Sequence, residues 1–343
     1  MSAALTEMAP FRIDPVFTAR VWGFRDLRPW YDRVAEGDPI GEVWLTGDEC
    51  TVTTGPHTGQ KLGALFSEHK VALLGTDVQG ADAPAADSPL PPGADSPLLI
   101  KTIFAKEKLS VQVHPDDAMA RKYGEPRGKT ECWYALQADP GAEVAVGVKP
   151  GTTLGEIEDG IRAGTLEQRL NMLSVAAGEM IYVDAGTIHA IWPGSILLET
   201  QQNSDVTYRM YDYGRPRQLH IEKSLEATKL ATRAGKVAPI ELADRTVLID
   251  VAYFRMERIP AVRNLTSESL RGADGKRGLA YLFAAAGAGR LSAAGPSRAE
   301  FDSIDLPPRG IVAVPAASPE FVLQEVGGTG DRLDLIRITP NWP

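Results

Sequence analysis

Short apolar runs broken by Gly and Pro recur along this 343-residue chain. Leu109–Val113, Glu131–Leu136, Glu143–Val148, Met180–Val183 and Ser195–Thr200 are each four to six residues long and partly alternate apolar with polar positions. A period of two marks half-buried strands of a sandwich or barrel, so the pattern predicts a mainly β fold. Leu154–Leu173 breaks it. Leu154, Ile157, Ile161, Leu166, Leu170 and Leu173 recur there at roughly helical spacing, behind a Thr152 or Thr153 suited to an N-cap. Gly160 and Gly164 are expected to divide this stretch into two short helices, a small helical insertion at about 152–174. Asp77–Pro97 is rich in Ala, Asp, Pro and Gly and predicts an exposed, mobile insertion.

A repeat links the middle of the chain to its end. Val183-Asp-Ala-Gly-Thr-Ile-His-Ala-Ile aligns without gaps on Val314-Pro-Ala-Ala-Ser-Pro-Glu-Phe-Val, each after a Gly-containing turn and an apolar strand. Glu320 then stands where the first copy has His189. Internal duplication of a β-domain follows: a catalytic domain over 1–235 and a second, metal-free β-domain over 236–343.

Charge narrows the partners. The chain carries 36 basic against 45 acidic side chains, net −9, with no block of Lys or Arg. Such a field repels nucleic acid and anionic lipid, so neither is an expected partner. An anionic small molecule would need a local basic cluster. Two cysteines, Cys50 and Cys132, give no disulfide scaffold and fit a reducing cytoplasm. No signal-like opening and no membrane-length apolar run is present, which points to a cytoplasmic protein. The oligomeric state stays open.

The densest chemistry lies in Leu109-Ser-Val-Gln-Val-His-Pro-Asp-Asp and Gly128-Lys-Thr-Glu-Cys-Trp-Tyr. Side chains two apart in a strand share a face, so Ser110, Gln112 and His114 point one way while Val111 and Val113 pack on the other. Lys129, Glu131 and Trp133 share a face in the next strand, and the same parity turns Cys132 away. Buried polar groups cost about 1–3 kcal/mol each when unpaired, and a bound cation would supply the partner. His189, three residues after Gly186, completes a set of one Gln, two His and one carboxylate, a donor set suited to Zn²⁺. His57, His69 and His220 read as structural or surface residues, and Trp133 and Tyr134 as packing groups. The strand, turn and His ending at His189 resemble the second cupin motif, with Asp184 in place of the usual Pro. Gln112, His114 and Glu131 resemble the first, with Gln for its leading His.

Together, Gln112-Val-His-Pro-Asp, Gly128-Lys-Thr-Glu-Cys-Trp-Tyr, Gly186-Thr-Ile-His-Ala-Ile and Glu199-Thr-Gln-Gln-Asn-Ser-Asp-Val-Thr-Tyr-Arg resemble the type I mannose-6-phosphate isomerases in their short bacterial form. The resemblance runs from about Phe11 to Asp212 and more faintly to the end. It implies two cupin-type jelly-roll β-barrels, one zinc held by Gln112, His114, Glu131 and His189, and a catalytic arginine at Arg209. Some members carry a Lys six residues after that arginine, where this chain has Arg215. The implied substrate is a sugar phosphate, mannose 6-phosphate interconverting with fructose 6-phosphate through an enediol(ate). That reaction needs a base, an electrophile and a phosphate handle. Lys129 is the candidate base, with water activated by the metal as its rival. Arg209, always protonated, would stabilise the oxyanion or position the sugar. Ser110, Lys101 and Arg215 are the phosphate candidates. The rival readings are another cupin sugar-phosphate isomerase and a non-catalytic sugar-binding cupin.

Overall fold

The computed structural model describes residues 8–75, 96–271, 277–294, 301–327 and 332–341. Residues 77–95 of the expected insertion lie outside them. The chain is mainly β, built from antiparallel sheets, and divides into two compact units. One holds the described residues of Met1–Val16, Leu45–Pro97 and Pro239–Pro343, the other Phe17–Trp44 and Leu98–Ala238. The change of unit at Pro239 lies near the expected boundary at 236, but the first unit also recruits segments from the N-terminal end. The reason is local. Phe11–Asp14 buries Phe11 and Ile13, and it pairs antiparallel with Ile311–Val314 on one side and Thr51–Val52 on the other. An edge that needs a partner finds it far along the chain.

In that unit an eight-stranded and a four-stranded sheet contribute to one core, which includes Leu282, Val312, Leu323 and Leu335. The second copy of the repeat forms strand Ile311–Val314, a turn, and strand Phe321–Glu325, with Glu320 just before the second strand. Glu320 faces Arg271 and Arg277 and accepts a hydrogen bond from Ser267 Oγ, so ion pairs occupy the position that is His189 in the first copy.

The other unit carries the chemistry. Its strands are β1 (Val16–Phe24), β2 (Ile40–Trp44), β3 (Leu98–Ala105), β4 (Val111–Val113), β5 (Glu131–Ala138), β6 (Glu143–Val148), β7 (Leu170–Ser174), β8 (Met180–Val183), β9 (His189–Ile191), β10 (Ser195–Gln202), β11 (Tyr208–Tyr211) and β12 (Gly235–Val237). One sheet runs β12-β8-β5-β10-β3-β2-β1 and the other β11-β4-β9-β6-β7. Ile103, Trp133, Ile181 and Leu197 of the first pack against Val144, Val146 and Ile191 of the second. The outer face of the five-stranded sheet is covered by α1 (Leu154–Ala163) and α2 (Ile221–Ala227), through Val111, Val113, Ile157, Ile161 and Met210.

The helical insertion is shorter than its spacing predicts. Thr153 caps α1 in a reciprocal capping box with Glu156, and Gly164 ends it in the left-handed conformation. A 3₁₀ turn over Leu166–Arg169 follows, and Leu170–Ser174 is strand β7. Leu170 and Leu173 therefore belong to the sheet. Pairing with β6 overrides a pattern that a short apolar run fits in either structure.

Candidate metal and substrate site

Strand parity builds the site. In the seven-stranded sheet the positions that send Ile103, Trp133 and Leu197 to the interior also send Lys101, Glu131 and Glu199 there. In the five-stranded sheet Gln112 on β4 stands opposite His189 on β9 and Arg209 on β11. Three of the expected site residues thus lie abreast on neighbouring strands. Val111 and Val113 take the other face, as the alternation requires.

Backbone turns place the two histidines. His114 follows β4, and its carbonyl accepts the Gly186 N–H at 2.8 Å. Gly186 has φ of 92°, a backbone that L side chains rarely adopt, and a Cβ there would meet the Ala227 carbonyl oxygen at 3.0 Å. His114 Nδ1 lies 2.8 Å from the Val206 carbonyl, and His189 Nδ1 lies 2.8 Å from the Thr187 carbonyl. Each carbonyl can only accept, so each Nδ1 carries the proton and each Nε2 offers its lone pair inward.

Those lone pairs meet a carboxylate. His114 Nε2 is 3.6 Å from Glu131 Oε2, and His189 Nε2 is 3.4 Å from Glu131 Oε1. The ligand atoms of the three residues lie within 4.8 Å of one another, all buried. Gln112 Nε2 is 3.2 Å from His189 Nε2, and rotation of its amide offers Oε1 from the same place. Ser110 Oγ donates to Gln112 Oε1 at 3.5 Å.

The electrostatics suit a cation. Burial, with the charges of Lys129 and His189, holds His114 well below the usual imidazole range. Burial and Lys129 bring His189 down to about 4, against the hydrogen bond to Thr187. Both rings are neutral at physiological pH, the state a metal needs. Burial and the nearby Glu199 push Glu131 up from the usual carboxylate range, against the pull of Lys129. His114 Nε2 and Glu131 Oε1 are buried with no hydrogen-bond partner. A divalent ion among these atoms would satisfy both and favour the ionised carboxylate, so the donor set fits.

Beyond the candidate ligands runs a row of alternating charges. Lys129 Nζ is 3.0 Å from Glu131 Oε2 and 3.9 Å from Glu199 Oε1. Glu199 Oε1 is 3.0 Å from Lys101 Nζ, which lies 3.8 Å from Glu42 Oε2, itself 2.9 Å from Arg20. Burial opposes the Lys101 charge, but Glu199 and Glu42 outweigh it and raise its pKa. Trp133 Nε1 donates to Glu199 at 2.9 Å and Trp44 Nε1 to Glu42 at 2.7 Å, so Trp133 both packs and orients a carboxylate. Sequence reasoning assigned no role to Glu42 or Glu199. Glu199 sits at an inward position of a predicted strand, which was the available signal, whereas Glu42 lies on β2, outside the strands read from the sequence.

The basic cluster demanded by the acidic background lies beside Arg209. Burial, then the charges of Arg217, Arg215 and Arg20, lower the Arg209 pKa, with Asp212 acting against them. Arg20 escaped sequence reasoning because its partner Glu42 comes from another strand, and Arg217 because its partner Asp212 meets it only once the loop turns back. His220 Nδ1 accepts the Arg209 N–H at 3.2 Å, a structural role as expected.

No family model matches the chain. It is 34% identical over 248 residues to the mannose-6-phosphate isomerase of Streptococcus mutans, covering 68% of this chain and 73% of that protein. The crystal structure of the mannose 6-phosphate isomerase from Bacillus subtilis superposes with a TM-score of 0.78 at 27% identity, over 96% of this chain and 99% of that one. A mannose 6-phosphate isomerase bound with zinc and yttrium shares the fold at a TM-score of 0.70 and 15% identity, over 97% and 100% of the two chains. The extent of the first match, and the buried His-Glu-His cluster it spans, place this chain in the mannose-6-phosphate isomerase family.

Proposed function

We propose that the protein interconverts mannose 6-phosphate and fructose 6-phosphate, with one zinc per chain held by Gln112, His114, Glu131 and His189. The convergence of a neutral imidazole pair, an amide and a buried carboxylate from two facing sheets carries this reading. Its relatives are named for this reaction, and one similar structure is named as binding zinc. Two cupin-type jelly-roll barrels are the matching architecture, and the paired sheets of each unit support it.

When bound, zinc polarises the sugar carbonyl and orients its oxygens. The chain's own groups do the rest. Arg209, on the strand beside Gln112, keeps its charge at any working pH and stabilises the enediolate oxygen. Lys129, in contact with Glu131 and Glu199, is the proposed group that moves the proton between C2 and C1. Of the three expected phosphate contacts, Ser110 and Arg215 are retained in this proposal, and Lys101 is given another role because it is buried against Glu42 and Glu199. Lys101, buried between two carboxylates, serves by holding Glu199 in place for Lys129. A coupled assay on mannose 6-phosphate and on glucose 6-phosphate, with and without a chelator, separates this reading from its rivals. Chelator-sensitive turnover of the first supports it. Turnover of glucose 6-phosphate alone selects another sugar-phosphate isomerase, and no turnover of either selects a sugar-binding protein.

A further inference from the structure

The segment after Arg209 folds back on its own strand. Tyr213 (φ 55°) and Gly214 (φ 82°) reverse the chain, and the Arg215 N–H returns to the Asp212 carbonyl at 3.0 Å. Asp212 is only 2% exposed, yet it is no metal ligand and touches none of the charged row around Lys101. Its carboxylate accepts from Arg217 Nε at 2.6 Å and Arg217 Nη2 at 2.7 Å, a bidentate pair, and faces Arg215 Nε at 3.4 Å. Arg215 Nη2 donates to the Lys108 carbonyl, two residues before Ser110 and four before Gln112. Arg209 Nη1 donates to the carbonyl of Gln218, the residue after Arg217. The three guanidinium groups are thereby tied into one loop.

Two of their donors have no partner. Arg209 Nε and Arg215 Nη1 are buried and make no hydrogen bond, a cost that an arriving acceptor would remove. Three guanidiniums against the single carboxylate of Asp212 leave an excess of two positive charges in a chain of net −9. A phosphate monoester carries about −1.5 to −2 at neutral pH and three strong acceptor oxygens. Charge and donors match.

We propose that Asp212 is a positioning residue, which fixes Arg217 and Arg215 as a cradle for the substrate phosphate at the Lys108–Ser110 end of β4. The sugar's reactive end then lies toward Gln112 and Arg209, which stand in register. This rests on the isomerase reading for its substrate, while the anion cradle itself stands on the loop geometry. An Asp carboxylate is suited to the task because it removes the freedom of two long side chains while leaving Arg215 Nη1 without a hydrogen bond.

The test uses the zinc-loaded full-length protein and inorganic phosphate as probe. Calorimetry measures phosphate affinity, and steady-state kinetics on mannose 6-phosphate measures KM and kcat separately. Asp212→Asn is expected to weaken phosphate binding about tenfold and to raise KM by a larger factor than it lowers kcat, since a misplaced contact about 1 Å away commonly costs up to about a hundredfold. Asp212→Glu should recover part of both losses, which a merely structural role would not produce. A folded, metal-replete Asp212→Asn with wild-type phosphate affinity and KM overturns the proposal. Should that variant not fold, Arg217→Gln takes its place with the same expected and contrary readings. Wild-type protein that binds phosphate but does not isomerise mannose 6-phosphate would sink the isomerase reading and support the cradle. Wild-type protein that fails to bind phosphate at millimolar concentration sinks the cradle whatever its activity.

Discussion

Arg209 shows how much one side chain is asked to do. It stands in register with Gln112, ties the 212–218 loop through Gln218, and keeps a buried Nε free of partners. An aligned cationic donor acts where negative charge develops, and loss of such a donor costs about 10²–10³ in rate. Arg209→Ala is therefore expected to lower kcat by about that factor while zinc content stays at the wild-type level. Steady-state kinetics with metal analysis checks it, and a near-normal kcat would remove Arg209 from the chemistry. Glu42 has a different duty. Burial alone would raise its pKa, but Lys101, Arg20 and the Trp44 N–H hold it at about 2. A carboxylate whose folded pKa lies below its unfolded value stabilises the fold above the unfolded pKa, about 4.3. That contribution is lost as pH falls towards 2. Thermal melts of wild type and Glu42→Gln should differ most at pH 7 and clearly less at pH 3. An equal gap at both values would contradict this role.

At the scale of elements, most strands and their inward residues were legible. Glu143–Val148 and Met180–Val183 have the expected bounds, and the alternation around Gln112 placed Val111 and Val113 on the covered face. Parity is a strong signal because a slip of one residue would bury the wrong set. The helix was less legible, since Leu170 and Leu173 suit either period and only pairing with β6 decides between them. Its start was legible only as Thr152 or Thr153, and the structure selects Thr153 through its capping box with Glu156. Thr153→Ala removes the side-chain half of the capping box, in which Thr153 Oγ1 accepts the Glu156 N–H, and should cost about 1 kcal/mol, read as a lowered thermal midpoint. An unchanged midpoint would mean that tertiary packing of Ile157 and Ile161 alone holds α1.

On the scale of the whole molecule, the sequence could announce the repeat but not the pairing of Phe11–Asp14 with Ile311–Val314, because strand partners distant in sequence leave no local trace. The same holds for the site. Gln112, His114, Glu131 and His189 could be nominated from spacing and resemblance, whereas the row from Arg20 through Glu199 and the Arg215–Arg217 loop exist only once sheets bring them together. None of the described helices is long and apolar enough to cross a membrane. Metal binding should couple to folding, since the ligand cluster joins two sheets. A ligand present at 1,000 times its Kd stabilises by about 4 kcal/mol, so chelation should lower the thermal midpoint and zinc should restore it. A midpoint indifferent to chelator would mean that the cluster holds no ion.

The most direct measurement is zinc content per chain for the wild-type protein and for His189→Ala, both purified folded and dialysed against the same metal buffer. One zinc in the wild type and a small fraction of that in the variant is the expected result, since removing one of four ligands opens the site. Equal zinc in both, or none in the wild type, would show that the buried cluster of His114, Glu131 and His189 is not where the metal sits.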